Sequence, residues 1–204
     1  MLDILLKNRS IQYVPEKVKN NYLNNFKFIN DIEYKKFIID SNGGYFFKNS
    51  LHFYSFEDKF DYNSIIFLNN FIKKIYPKYS DNIFFIGEDI MGNLFGFEND
   101  SVIFFNIESA EKEIIATTFI SFIKELLDDL EYFTGYSFIQ DNIMEDKLAY
   151  GERLGAKFPF ILGGNYDSDN FILKNTLENL DYCSSIANQI NNLPDGTKVN
   201  INFK

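Results

Sequence analysis

Apolar residues recur at helical spacing in three parts of the chain before residue 135. A first helix is predicted over residues 31–41, and Asn42-Gly43-Gly44 predicts its end because glycine adopts positive φ at little cost. A second helix is predicted over residues 68–75, closed by Pro77. The clearest pattern covers residues 119–130. Its apolar face consists of Phe119, Phe122, Ile123, Leu126, Leu127 and Leu130.

Between these helices the apolar pattern becomes that of strands. Residues 45–56 are aromatic and strand-like, and three short apolar runs follow at residues 83–87, 93–98 and 102–105. The two turns between these runs contain Gly92 and Asn99-Asp100-Ser101, residue types that tolerate turn geometry. We therefore predict an α+β fold in which amphipathic helices cover an antiparallel β-meander sheet.

After Gly135 the pattern of a meander followed by one long helix gives way to short helical and strand-like segments. We predict a core over residues 1–134 and a C-terminal α/β extension over residues 135–204 that packs on the core as one unit. In the extension we expect a helix over residues 144–154 and a short strand over residues 158–162. A further helix has an apolar face made of Leu180, Cys183, Ala187 and Ile190, and alternating residues predict a final strand with Val199, Ile201 and Phe203.

The net charge of the chain limits the kinds of molecule that it is expected to bind. The chain has 29 acidic and 20 basic residues and a net charge of -9, which is the wrong sign for a protein that binds nucleic-acid phosphates. An acidic protein attracts basic proteins, although acidity also serves solubility alone. No apolar stretch is long enough to span a membrane, and the N-terminal apolar run is too short for a signal peptide. The single cysteine fits a reducing compartment, so we expect a cytoplasmic protein.

No set of residues predicts catalysis, a metal or a cofactor. His52, the only histidine, is typical of a strand residue that either has a satisfied ring nitrogen or faces solvent, and Cys183 is typical of a buried small hydrophobe. One cysteine and one histidine cannot build a zinc site, and the Asp167 to Asn170 segment lacks the glycine and distal glutamate of a calcium loop. The loop from Gly87 to Asn93 has the glycine spacing of a phosphate-binding loop but no lysine.

Acidic residues gather at the turns of the predicted meander. They form either an ordinary solvated face or a docking surface for a basic partner. The candidate partner-binding residues are Glu88, Asp89, Glu98, Asp100, Glu108 and Glu111.

Seven segments of the chain contain motifs of glycine turns among aromatic residues: Tyr34 to Ile39 with the Asn-Gly-Gly turn, Ile86 to Phe97, Val102 to Phe105, Ala116 to Ile123, Tyr150 to Gly155, Pro159 to Gly164 and Leu193 to Thr197. In their order and spacing these segments resemble the SUKH superfamily, which includes the yeast Smi/Knr cell-wall assembly regulators and many bacterial immunity proteins. The resemblance covers nearly all of the chain from about residue 12, and Phe or Tyr stands where the family often has tryptophan.

The resemblance implies an α+β fold, no catalysis and neutralisation of a toxin from a polymorphic secretion system by direct binding. Members of the superfamily share no reactive residue, so no catalytic site is carried over. The leading hypothesis is a cytoplasmic immunity protein whose partner is a cognate toxin domain. The alternatives are a regulatory scaffold that binds an endogenous protein and, third, a hydrolase whose site the sequence does not reveal.

Overall fold

The main sheet of the protein is an antiparallel meander whose strands follow one another in chain order. The computed structural model describes residues 1–19, 22, 29–57, 61–140, 148–191, 193–194 and 196–202. Within these residues, six strands form the sheet in the order β1 to β6, and each pairs with the next along the chain. The strands are β1 (Gly44–Phe46), β2 (Leu51–Phe53), β3 (Phe84–Glu88), β4 (Leu94–Glu98), β5 (Ser101–Phe105) and β6 (Lys112–Ala116).

Seven α-helices and a second, two-stranded antiparallel sheet complete the described part of the chain. The second sheet pairs β7 (Glu152–Ala156) with β8 (Phe171–Asn175). The helices are α1 (Leu2–Lys7), α2 (Ile32–Ser41), α3 (Ile65–Ile75), α4 (Phe119–Asp128), α5 (Leu130–Thr134), α6 (Ser137–Gln140) and α7 (Thr176–Ile190). None of the described helices is long and apolar enough to cross a membrane.

The main sheet lies between two layers of helices. Paired residues of an antiparallel ladder share a face and consecutive residues alternate, so Phe95 and Phe105 lie on opposite faces because Leu94 pairs with Phe105. Phe95 contacts Phe122 of α4, with ring centroids 5.0 Å apart, whereas Phe105 contacts Tyr76 at the end of α3, at 5.2 Å. Helices α2 and α4 therefore cover one face, and α3 covers the other.

Local signals in the sequence set the helix boundaries. The Asp31 side chain accepts a hydrogen bond from the Tyr34 amide (2.8 Å) and another from the Phe119 amide (2.7 Å), so it caps α2 and joins α2 to the start of α4. Helix α2 ends at Asn42, which has a left-handed φ of 53°. At Gly43 a Cβ atom would lie 2.5 Å from the Phe53 carbonyl oxygen, so only glycine fits at this position.

The extension packs on the core, and the predicted α+β fold is confirmed. The Leu154 amide donates to the Ile90 carbonyl (2.7 Å), and the Asn188 side chain donates to the Ile75 carbonyl (2.9 Å), which joins α7 to α3. The boundary at residue 135 stays a prediction.

The structure corrects three local predictions in the extension. Residues 152–154 of the predicted 144–154 helix lie in β7, because Leu154 pairs with the distant Leu173; residues 144–147 lie outside the described part of the chain. The predicted 158–162 strand is instead a turn ending in a 3-10 helix (Phe160–Leu162), since Pro159 and the left-handed Gly163 (φ 97°) limit its conformation.

The predicted final strand is also absent from the described residues 199–202. The Asn202 amide and carbonyl bond to the Gln189 side chain (3.0 and 3.1 Å) rather than to a neighbouring strand. Phe203 lies outside the described residues.

The predicted 45–56 strand is a hairpin of two short strands. Phe47, Lys48 and Asn49 all have positive φ, so the chain reverses between β1 and β2.

Candidate protein-interaction site

A buried ionic cluster joins the core to the extension. Glu88 on β3 pairs with His52 on β2, so their side chains share a face of the sheet. Arg153 reaches them from β7, and its Nε donates to Glu88 Oε1 (2.8 Å). The His52 Nδ1 lies 3.0 Å from the same oxygen, and its Nε2 lies 2.8 Å from Asn63 Oδ1. Tyr54 donates its hydroxyl to Glu88 Oε2 (3.3 Å).

Burial and mutual attraction set the charges of this cluster. Burial alone would raise the pKa of Glu88, but the Arg153 charge and the His52 hydrogen bond outweigh burial and lower it. Burial lowers the pKa of His52 more than Glu88 raises it, so the imidazole is neutral at pH 7. One anion and one cation therefore balance each other in the interior. The two side chains are 1% and 0% exposed, so this cluster has a structural role and offers no surface to a partner.

Asp89 is buried for a different reason. Its carboxylate accepts hydrogen bonds from the backbone amides of Met91 (2.8 Å) and Asn93 (2.9 Å) and from the Asn93 side chain (2.9 Å). These bonds hold the turn between β3 and β4. Burial nevertheless raises the pKa of Asp89 to about 6. Asp89 is thus a turn-forming residue.

A cleft lies between the β5–β6 connection and the extension. Its cavity is about 320 Å³ in volume, and its lining includes Glu108, Glu111, Phe160, Ile161 and Tyr166. Glu108 Oε2 accepts a hydrogen bond from the Ile161 amide (2.9 Å), which fixes the two walls relative to each other. Burial raises the pKa of Glu108, although bonds from the Ile161 and Phe160 amides oppose the rise. The lining of the cleft thus includes two carboxyl groups, one of which bonds across to the extension.

Aromatic and aliphatic side chains stand exposed on the extension side of the cleft. Tyr166 stacks on Phe160, with ring centroids 4.0 Å apart and planes within 6°, yet Tyr166 stays 65% exposed. Phe158 and Ile161 in the same segment are 53% and 46% exposed. Exposed aromatic side chains held in place beside charges are typical of protein interfaces.

A smaller groove continues the cleft toward the C-terminal end of the described chain. It has a volume of about 160 Å³ and shares Ser109, Glu111 and Ile161 with the larger cleft. Leu193, which is 42% exposed, lies in its lining. Cleft and groove together form one extended concave surface, which we call the acidic cleft.

The structure separates the six acidic candidates into three groups. Glu88 and Asp89 are 1% and 7% exposed, which corrects the expectation that they belong to a docking surface. Both carboxylates instead accept hydrogen bonds from groups inside the protein. Glu98 forms an ion pair with Lys112, and Asp100 accepts from Asn30 at the β4–β5 hairpin. Glu108 and Glu111 lie together in the acidic cleft. Contact of these last four with a partner stays a prediction.

Sequence reasoning missed Arg153 and the exposed apolar residues of the cleft. Arg153 is one basic residue among 20, and only the non-local pairing of β7 with β8 places it in the interior. Phe158 and Ile161 lie in the segment predicted as a short strand over residues 158–162, and Tyr166 follows that segment. The Pro159 and Gly163-Gly164 signals around that segment indicate a loop, and a loop exposes its side chains.

The two other reactive candidates are buried. His52 is buried, and its two ring nitrogens lie within hydrogen-bond distance of Glu88 Oε1 and Asn63 Oδ1, of which a neutral imidazole donates to one. Cys183 is 3% exposed on the inner face of α7, and burial raises the pKa of its thiol to about 12, so the thiol is inert.

The antiparallel meander covered by helices defines the protein as an α+β domain, and comparison with known proteins agrees. The profile of the SMI1 / KNR4 family (SUKH-1) matches residues 31–125. This region runs from α2 to α4, and the match supports membership of the SUKH superfamily.

One solved structure supports the same fold over most of the chain. The crystal structure of Atu4351 from Agrobacterium tumefaciens superposes with a TM-score of 0.61 at 14% sequence identity, and the match covers 88% of this chain and 86% of that one. At this identity the likeness concerns the fold alone. No curated protein matches the sequence.

Proposed function

We propose that this chain is a cytoplasmic immunity protein that neutralises a cognate toxin by direct binding. The SUKH superfamily includes immunity proteins, and that membership makes a protein partner the leading hypothesis. The observation that carries the proposal is the acidic cleft, where Glu108 and Glu111 line the same cavity as the exposed ring of Tyr166. The protein acts by occluding or distorting the toxin and not by catalysis.

The chemistry of the cleft indicates a basic partner. Glu111 is exposed, and no cation pairs with its carboxylate among the described residues. Together with a net charge of -9, this favours fast encounter with a toxin domain that has a positive surface. The exposed aromatic side chains supply the apolar anchors that a tight complex needs in addition to charge.

The test is co-expression with the toxin domain encoded beside the gene, scoring cell survival and co-purification. We expect rescue and a stable complex with the unaltered chain. Glu111→Lys and Tyr166→Ala should each weaken the complex roughly ten-fold or more, because they reverse a charge and remove an aromatic anchor. Asp40→Lys, an exposed reversal on α2 across the sheet, is the matched control and should bind normally. Lack of rescue and of a complex would favour the regulatory scaffold that binds an endogenous protein.

A further inference from the structure

The two edges of the main sheet differ in how they are covered. At the β1 edge the N-terminal segment closes the sheet: Arg9 bridges to Phe46, the Ser10 amide donates to the Tyr45 carbonyl (2.8 Å), and the Phe47 amide donates to the Asn8 carbonyl (2.9 Å). At the β6 edge no such cover exists among the described residues. Strand β6 is last in the sheet, and Lys112, Glu113 and Ile114 are exposed.

The register shows which backbone groups of β6 point outward. The Asn106 amide donates to the Glu111 carbonyl (2.9 Å), so these residues form a hydrogen-bonded pair of the β5–β6 ladder. In an antiparallel ladder such pairs alternate with pairs whose backbone groups point away. Since the register continues through Glu113 and Ile114, Glu113 bonds to β5 while Lys112 and Ile114 direct their amides and carbonyls outward. These groups are free to accept another strand.

The side chains at this edge are negative and apolar. Lys112, the one cation within β6, is neutralised by Glu98. Glu113 accepts a hydrogen bond from the Tyr132 hydroxyl (3.3 Å), and the charge of Glu113, with that of Asp129, raises the pKa of Tyr132. Two carboxylates thus flank the same exposed ring. Ile114, which follows Glu113 in the strand, is 69% exposed on the opposite face, and Glu111 joins the edge to the acidic cleft.

We propose that the outer edge of β6 takes up an extended, basic segment of a protein partner as an additional strand. Main-chain hydrogen bonds to Lys112 and Ile114 would hold the segment, with a basic side chain of the segment beside Glu113 and an apolar one against Ile114. A second copy of this chain fits less well, because it brings the same carboxylates and a further net charge of -9 to the interface. The identity of the partner rests on the proposed function; the chemistry of the segment does not.

The first test uses a short peptide in which lysine and valine alternate, added to the full chain. We expect amide hydrogen exchange at Lys112 and Ile114 to slow about five-fold or more at saturation, since both amides become hydrogen-bonded. A peptide in which glutamate replaces lysine should leave exchange unchanged. Absence of protection at these two amides with the lysine peptide would overturn the proposal, as would equal protection by both peptides.

Two variants separate strand addition from simple side-chain contact. Ile114→Pro removes an outward amide without removing a bond to β5, and edge strands tolerate proline. Ile114→Ala removes the side chain but keeps the amide. Strand addition predicts that peptide binding is lost in Ile114→Pro and retained, though weaker, in Ile114→Ala. Equal binding by both variants, or equal loss in both, would contradict it.

The same variants keep this inference distinct from the proposed function. If the unaltered chain and Ile114→Pro bind the toxin domain equally, the immunity function stands and strand addition by the toxin fails. If the peptide binds at β6 but no toxin is neutralised, the strand site stands and the immunity function fails. Sedimentation of the protein alone tests whether a second copy occupies the edge. A dimer that Ile114→Pro disrupts would show that it does, and would overturn a basic partner segment as the occupant.

Discussion

At the scale of single residues, Arg153 shows how one buried charge depends on another. Its guanidinium is fully buried, pairs with Glu88, and lies 5.1 Å from the centre of the Tyr45 ring. A buried ion pair adds little stability compared with well-packed apolar side chains, but removing one member leaves an uncompensated charge. The loss in free energy of unfolding therefore depends on which partner is removed and on whether the remaining partner is also neutralised.

We expect Arg153→Met to lower the free energy of unfolding by about 3–5 kcal/mol at pH 7, because Glu88 stays buried without its cation. Urea denaturation measures the loss. The double variant Arg153→Met with Glu88→Gln is the control and should recover much of the stability. A double variant as unstable as the single one would show that packing of the arginine, and not its charge, accounts for the loss.

The contribution of Asp89 to stability should depend on pH in the opposite direction to that of a carboxylate whose pKa is lowered by folding. Its pKa is raised from 3.8 to about 6 in the folded protein, so the folded state binds its proton more tightly than the unfolded state does. The Asp89 contribution to stability is therefore present below pH 4 and is lost as the pH rises through 6. We expect the free energy of unfolding relative to Asp89→Asn to fall by up to about 3 kcal/mol between pH 4 and pH 7. A pH-independent difference in urea denaturation would show that Asp89 does not titrate this way.

At the scale of elements, the turn after α2 depends on backbone geometry that only glycine provides. Gly43 has φ +75°, and a Cβ atom there would meet the Phe53 and Tyr54 carbonyl oxygens at 2.5 and 2.6 Å. We expect Gly43→Ala to lower the free energy of unfolding by more than about 1 kcal/mol. Gly163→Ala is the matched control: its φ of +97° imposes similar strain, but no atom lies within 4 Å of its Cβ position. Equal losses in the free energy of unfolding for the two variants would show that the positive φ alone, and not the close carbonyl oxygens, causes the destabilisation.

Elements whose partners are near in sequence were predictable, and elements with distant partners were not. The β3 to β5 strands follow each other through short turns, and α4 shows a continuous apolar face, so local patterns suffice. Strand β7 needs β8, and Leu154 pairs with a residue 19 positions away in sequence, Leu173. Its apolar residues alone fit a helix equally well.

The same distinction applies to the candidate site. Acidic residues at turns are visible in the sequence, but burial is not, since Glu88 and Asp89 become internal only when β7 and the β3–β4 turn are in place. Glu108 and Glu111 share a cleft because the extension folds over the β5–β6 connection, and a single sequence gives no sign of that packing.

At the scale of the whole molecule, the contacts between core and extension argue for one cooperative unit. Arg153 supplies the cation of a carboxylate on β3, and the Tyr76 hydroxyl donates to the Ile107 carbonyl (2.6 Å) beneath α7, near the Leu180 carbonyl at 3.5 Å. Loss of the extension would leave Glu88 without a cation and the apolar face of α3 uncovered. These contacts lead us to expect that neither part stays folded alone.

We therefore expect a single unfolding transition in urea. The chain has 13 tyrosines and no tryptophan, with tyrosines in both parts, so tyrosine fluorescence and far-ultraviolet circular dichroism should give coincident midpoints. A chain that ends at Thr134 should show no cooperative transition, because it loses both the Arg153 cation that pairs with Glu88 and the contacts of α7 with α3. Two separate transitions in the full chain, or a cooperative transition in the shortened one, would mean that the core folds independently and that the extension is a module added to it.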